Sequence, residues 1–231
     1  MFDMKNLKGT YTSFHKRNNS VHIYPTEWVV RTFLGRYPRL NLNEGRYKGS
    51  KILDIGFGDC RNMPLLNNCG FRVYGIEISQ EIIDIAKDKL QRLQISATLE
   101  IGSNANIPFQ NEFFDYLLAC HSCYYVDEGS SFENNLAEFA RVLRPDGVIV
   151  ASLPAPGNFI LQGSKPIGDG HVEITNDIFG LRNGYVFRSF VDERDVIDTF
   201  SKTFFDIKVC SCVDNFWGLQ INFFIVVAKR K

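Results

Sequence analysis

Lys51-Ile52-Leu53-Asp54-Ile55-Gly56-Phe57-Gly58 (KILDIGFG) is the stretch from which the fold can be read. A short apolar run that ends in glycines reads as a buried strand running into a tight turn. The two glycines offer bare main chain where the backbone must pass close to a neighbour. In an open α/β sheet ligands bind beyond the carboxyl ends of the strands, and this turn lies at such an end.

Downstream the chain alternates. A helix through Leu65 and Leu66 closes at Gly70, and Phe71–Ile76 is a second strand. Ser79 is placed to cap a helix with Ile82, Ile83, Ala86, Leu90 and Leu93 on one face. Ala97–Ile101 and Asp115–Cys120 read as strands, Phe132–Leu143 as a helix, Arg144-Pro145-Asp146-Gly147 as a turn and Val148–Leu153 as the fifth strand. This alternation predicts a parallel sheet with helices on both faces. The ending differs. Asp192–Phe200 is helical, but Phe205–Cys212 and Phe223–Ala228 are separated by only about ten residues, too few for a crossover helix, so these two strands are expected to be antiparallel.

Upstream, residues 1–48 are expected to form an N-terminal helical extension or cap, with one amphipathic stretch over Thr26–Tyr37. Residues 49–231 form the α/β domain, with 154–190 as a substrate-side insertion expected to be a long functional or mobile loop.

Of the 231 residues 45% are hydrophobic and 23% charged, which suits one globular core. Lys+Arg and Asp+Glu stand at 26 each, so no long-range field favours nucleic acid or an anionic membrane. No run reaches the ~18 apolar residues of a membrane span. The opening MFDMKNLKGTYTSF lacks an apolar signal core, and the six cysteines sit in or beside apolar runs. A reduced, cytoplasmic protein with a small-molecule partner is expected.

A second element sharpens the first. Glu77 follows the second strand, 19 residues after Gly58, where a carboxylate can accept both hydroxyls of a ribose diol. Ile78 beside it suits an adenine face. Asn104-Ala105-Asn106-Ile107-Pro108-Phe109, Phe114-Asp115-Tyr116-Leu117-Leu118 and Leu143-Arg144-Pro145-Asp146-Gly147 follow in order. Together these residues resemble the class I S-adenosylmethionine-dependent methyltransferases, over roughly residues 50–153 and again in the antiparallel ending. The resemblance implies a Rossmann-like, seven-stranded, mostly parallel sheet whose last strand is antiparallel. It implies S-adenosylmethionine as cofactor and S-adenosylhomocysteine as product. Asp54, Gly56, Gly58, Glu77, Ile78, Asn104 and Ala105 then fall at cofactor-binding positions, to which Tyr24, Arg61 and Cys120 are added. Arg61 could steer the cofactor carboxylate. Two departures stand out: Cys60 replaces a frequent third glycine, and Asn104 replaces an acid on the adenine side.

The sulfonium methyl is already activated, so such a protein mainly positions the nucleophile. If a base assists, His121 and His171 are the candidates, and Tyr124 and Tyr125 are expected to line the acceptor pocket. Tyr11, His15, His22 and Tyr24 are placed to cap it. Sugars, nucleotide-sugars and secondary metabolites are the acceptors that analogy suggests.

Three other readings compete. A nicotinamide-dependent oxidoreductase would want a third glycine where Arg61 stands. Zinc could take Cys120-His121-Ser122-Cys123 and Cys210-Ser211-Cys212, but a strand's Cys-x-Cys suits packing, and no metal is expected. A non-catalytic subunit of the same fold stays open.

Overall fold

The computed structural model describes residues 4–17, 23–40, 42 and 44–231. Helices α1 (Met4–Arg17) and α2 (Glu27–Leu34) precede the sheet. The chain then runs through β1 (Lys51–Ile55), α3 (Met63–Asn68), β2 (Arg72–Glu77), α4 (Gln80–Arg92), β3 (Ala97–Ile101) and β4 (Phe114–Ala119). After β5 (Tyr125–Val126), α5 (Phe132–Val142) and β6 (Leu143–Pro154) come three short strands, β7 (Lys165–Gly168), β8 (His171–Glu173) and β9 (Val186–Arg188). Helix α6 (Glu193–Phe200) and strands β10 (Phe204–Phe216) and β11 (Leu219–Arg230) complete the described chain.

Seven strands form the main sheet in the order β10-β11-β6-β4-β1-β2-β3. β1, β2, β3, β4 and β6 pair in parallel, and β11 runs antiparallel to both β6 and β10. Strand order reverses between β1 and β4, which opens a crevice at their carboxyl ends. Side-chain alternation supplies both cores. Ile52, Tyr116, Leu118 and Val150 join α2, α3 and α4 on one face, while Leu53, Leu117, Ala119, Ile149 and Ala151 join α5 and α6 on the other. Burying both faces is what makes these strands nearly continuous apolar runs.

Several local expectations are corrected. Arg144–Gly147 does not stand outside the sheet as a turn. It is absorbed into β6 as a bulge, where the register steps from Phe114↔Leu143 to Tyr116↔Val148 and Asp146 adopts φ 60°. The last two strands are longer than expected and meet at Trp217-Gly218, both at positive φ (49° and 92°), the arrangement that matches hairpin twist. Ser79 occupies the N-cap of α4, but its hydroxyl makes no cap bond; it lies 3.2 Å from the Thr12 hydroxyl of α1. Within 154–190 the chain builds β7, β8 and β9, which join β5 in a four-stranded antiparallel sheet, order β5-β9-β8-β7. Among the described residues no helix is long and apolar enough to cross a membrane.

Candidate functional site

A cavity of about 990 Å³ opens over the carboxyl ends of β1, β2 and β4, between the α1–α2 segment and the small sheet. Its floor is the turn after β1. Gly56 and Gly58 both have positive φ, 62° and 54°, so the KILDI strand can turn sharply here. A Cβ on Gly56 would come within 2.7 Å of Ser122 Cβ, so this glycine also lets the exit of β4 pack against the turn. Ser122 Oγ donates to the Ile55 carbonyl at 2.6 Å and ties the two strand ends together.

Asp54 ends buried beneath this turn, with neither carboxylate oxygen paired to a described residue. Burial holds its carboxyl well above the usual carboxylate range, and Glu77 and Asp59 push the same way. An unpaired buried carboxylate is costly, so this position fits a cationic or hydrogen-bond-donating ligand. Glu77, at the tip of β2, accepts from the Gly58 amide at 2.8 Å and from the Ile78 amide at 3.0 Å. Burial raises its carboxyl while these two amides pull it back. Each oxygen spends one acceptor position on the main chain, which leaves room for a vicinal diol.

Ile78 and Asn104 line the same wall. The Asn104 amide nitrogen donates to the carbonyls of Ser122 (2.9 Å) and Tyr125 (3.0 Å), so the side chain's orientation is fixed. Arg61 lines the rim, but its guanidinium forks onto Asp59 at 2.9 and 2.7 Å. Cys120 faces the cavity and its thiol donates to the Thr26 hydroxyl at 3.5 Å; burial pushes that thiol up to about 12. It is protonated at neutral pH and is a poor nucleophile there.

His121 is bound at both ring nitrogens. Trp28 Nε1, which can only donate, lies 3.2 Å from His121 Nε2. The lone pair is therefore on Nε2 and the proton on Nδ1, which meets Ser152 Oγ at 3.0 Å. Burial, with Arg182 and Arg61 adding to it, lowers this imidazole to about 4. Neutral and fully engaged, the ring ties α2 to β4 and β6 and offers no free lone pair to a substrate.

Tyr124 and Tyr125 stack with centroids 5.1 Å apart and line the cavity above the turn, joined there by Tyr11 and Tyr185. Tyr24 and Ala105 are not among the lining residues, and Tyr24 is 78% exposed. His171 is also not among the lining residues; it opens β8 beside the β7–β8 turn, opposite Gly168 and Arg188. The side chain of His15, and all of His22, fall outside the described residues. Among the described residues no group of three His, Cys, Asp or Glu side chains forms a metal cluster.

Sequence reading missed Arg182, Tyr185, Thr26 and Asn62. Thr26 donates its amide to Asn62 Oδ1 at 3.0 Å, docking the start of α2 onto the glycine turn. These residues carry no local motif, and only tertiary folding brings them to one cavity.

Residues 53–151 match a family described as a methyltransferase domain. A demethylmenaquinone methyltransferase of Tropheryma whipplei is 30% identical over 113 residues, covering 48% of this chain and 45% of that protein. One from Bacillus mycoides is 26% identical over 142 residues, 60% of this chain and 51% of that protein. The chain thus spans about half the length of the curated relatives it matches. A solved S-adenosylmethionine-dependent methyltransferase from Methanosarcina mazei has a TM-score of 0.63 at 19% identity, covering 84% of this chain and 98% of that one. Another, from Thermotoga maritima, has a TM-score of 0.58 at 18% identity, over 96% and 100%.

Proposed function

We propose that this chain, whose residues 53–151 form a methyltransferase domain on the class I S-adenosylmethionine-dependent fold, transfers a methyl group to a small-molecule acceptor. S-adenosylmethionine is the cofactor of this domain class and supplies a methyl group already activated by its sulfonium. The observation that carries the reading is the pairing of Glu77 with the Gly58 and Ile78 amides directly over the glycine turn. A buried carboxylate held there by main chain suits a ribose diol, and Ile78 and Asn104 flank the place for its base. Asp54, buried without a partner among the described residues, suits the cationic end of the same molecule.

The acceptor enters on the side of Tyr124, Tyr125 and the small sheet. His121 is engaged at both nitrogens and Cys120 stays protonated, so neither serves as a base or a nucleophile. Rate enhancement then rests on holding the acceptor in line with the methyl group and excluding water. α1 and α2 support that role as a cap: Thr12 reaches Ser79, Lys16 pairs with Glu81 at 2.9 Å, and Thr26 meets Asn62. All six cysteines are free thiols, which suits a reducing cytoplasmic setting.

The test is calorimetric titration with S-adenosylhomocysteine. Glu77→Ala is expected to weaken binding by about 1.5–3 kcal/mol, the scale for hydrogen bonds to a charged group. An unchanged affinity would remove Glu77 from the ribose site.

A further inference from the structure

The acceptor end of the cavity has a chemistry of its own. Tyr11, Tyr124, Tyr125 and Tyr185 form a nearly continuous aromatic wall there. Tyr125 lies edge-on to Tyr185 at 5.3 Å and to Tyr11 at 6.3 Å, and Tyr11 is edge-on to Tyr185 at 6.0 Å. The wall is held in place. Asn104 and Asn135 both donate to the Tyr125 carbonyl, at 3.0 and 2.8 Å, and the Tyr11 and Tyr125 hydroxyls are hydrogen-bonded to each other. A rigid slot with aromatic faces and edges favours a planar ring, through offset or edge-on contacts.

A cation stands beside this slot. Arg182 lines the cavity and belongs to the small sheet's long β8–β9 connection. Its Nη1 is 3.2 Å from both oxygens of Asp177, a carboxylate with no exposed surface. Asp177 also accepts from the main-chain amides of Phe179, Leu181 and Arg182, so much of its charge is already spent on the backbone. The Nε of Arg182 is buried and has no hydrogen-bond partner among the described residues. Burial alone would depress this guanidinium, but its neighbours, the Asp177 carboxylate among them, push the other way, and an arginine stays charged in proteins. Arg182 thus brings a partly buried guanidinium, ion-paired to Asp177 and in contact with Tyr125, to the edge of the tyrosine wall, where its fork of donors suits an anionic oxygen.

We propose that the acceptor is a planar aromatic molecule bearing an anionic oxygen, as phenolate or carboxylate, which stacks within the tyrosine wall and pairs with Arg182. For a phenol this pairing favours the ionised form, so the acceptor releases its proton to bulk water on binding; the phenolate oxygen then takes the methyl as the S–CH3 bond breaks to leave the neutral thioether, and no protein base is needed. The inference rests on the methyltransferase reading of the same cavity. Asp127, Glu128 and Glu173 line the same cavity, and an acceptor held by them would be a cation, which the benzylamine arm of the test reads.

The test uses the full chain saturated with S-adenosylhomocysteine, with 4-nitrophenol as probe just below the pH at which it ionises. The phenolate band is expected to grow on binding. Benzoate should displace the dye, and benzyl alcohol and benzylamine should do so far less well. The relative affinities of nitrophenolate and benzoate then tell a phenolate acceptor from a carboxylate one. Arg182→Gln should weaken dye binding about ten- to hundred-fold, the equivalent of one charged hydrogen-bonded pair, and leave S-adenosylhomocysteine affinity unchanged. Arg182→Lys should keep part of the ionisation, and it decides the matter together with the probe ranking if the glutamine variant fails to fold. The inference is overturned if the dye binds neutral or not at all, if benzylamine competes as well as benzoate, or if Arg182→Gln instead loses S-adenosylhomocysteine affinity. Failure of the wild-type protein to bind S-adenosylhomocysteine would overturn the methyltransferase reading as well, whereas binding without dye capture overturns this inference alone.

Discussion

Asp54 shows how a buried carboxyl without a partner among the described residues burdens a fold. Its carboxyl is buried, unpaired among the described residues and raised by that burial. A carboxyl raised in the folded state contributes stability that is whole below its unfolded value and is lost progressively as pH climbs from there through the folded one. Asp54→Asn is therefore expected to raise the melting temperature at pH 7 by about 2–4 °C, the shift for roughly 1 kcal/mol in a chain of this size. The gain should disappear near the ordinary aspartate value of 3.8, while cofactor affinity falls. Thermal scans from pH 3.5 to 7.5 check this, and a variant less stable at neutral pH would contradict it. The motif residues were legible because their chemistry is local. The glycine turn and the carboxylate after β2 announce themselves by residue type and spacing. Even so, the reading of Gly56 was incomplete, since its contact with Ser122 depends on β4, far along the chain. Arg182 has no such signature: an arginine in a glycine- and asparagine-rich loop gives no sign of the tyrosines it faces.

Among the elements, α2 is tied to the sheet through one hydrogen-bonded chain, Trp28 to His121 to Ser152. His121 is the pH-sensitive link. Its folded value near 4 lies below the ordinary 6.5, so the unfolded chain binds the extra proton between those limits. Stability carried by the neutral imidazole is complete above 6.5 and declines as pH falls toward 4, by on the order of 3 kcal/mol at most. His121→Gln, which does not titrate, is expected to flatten that part of the profile in urea denaturation; an unchanged slope would place the acid sensitivity elsewhere. Sequence read α2 well because Trp28, Val29 and Phe33 form an apolar stripe. It expected a helical extension but gave α1, whose mean character is polar, no bounds, and it missed β7, β8 and β9, which are three or four residues long. Such short strands are held by main-chain pairing with one another, and no apolar periodicity marks them.

For the whole molecule, the central sheet could be read because its interior strands are buried on both faces and the β1–β2, β2–β3 and β4–β6 connections each carry a helix. The outer half of the terminal hairpin could not. Before Phe223, β11 does not pair with β6, so Val213–Leu219 is mostly solvent-facing and carries no burial pattern. What the assembled fold adds is convergence. The turn after β1, the tip of β2, the exit of β4, the α1–α2 segment and the small sheet all meet over the switch point between β1 and β4. The account stands on a nucleoside occupying that point, and a crystal structure with S-adenosylhomocysteine at saturating concentration tests it directly. The predicted result is a ribose on the Glu77 carboxylate, the base between Ile78 and Asn104, and the amino-acid end over Asp54 and the glycine turn. Density for the nucleoside anywhere else, or a cavity left empty at saturation, would contradict it.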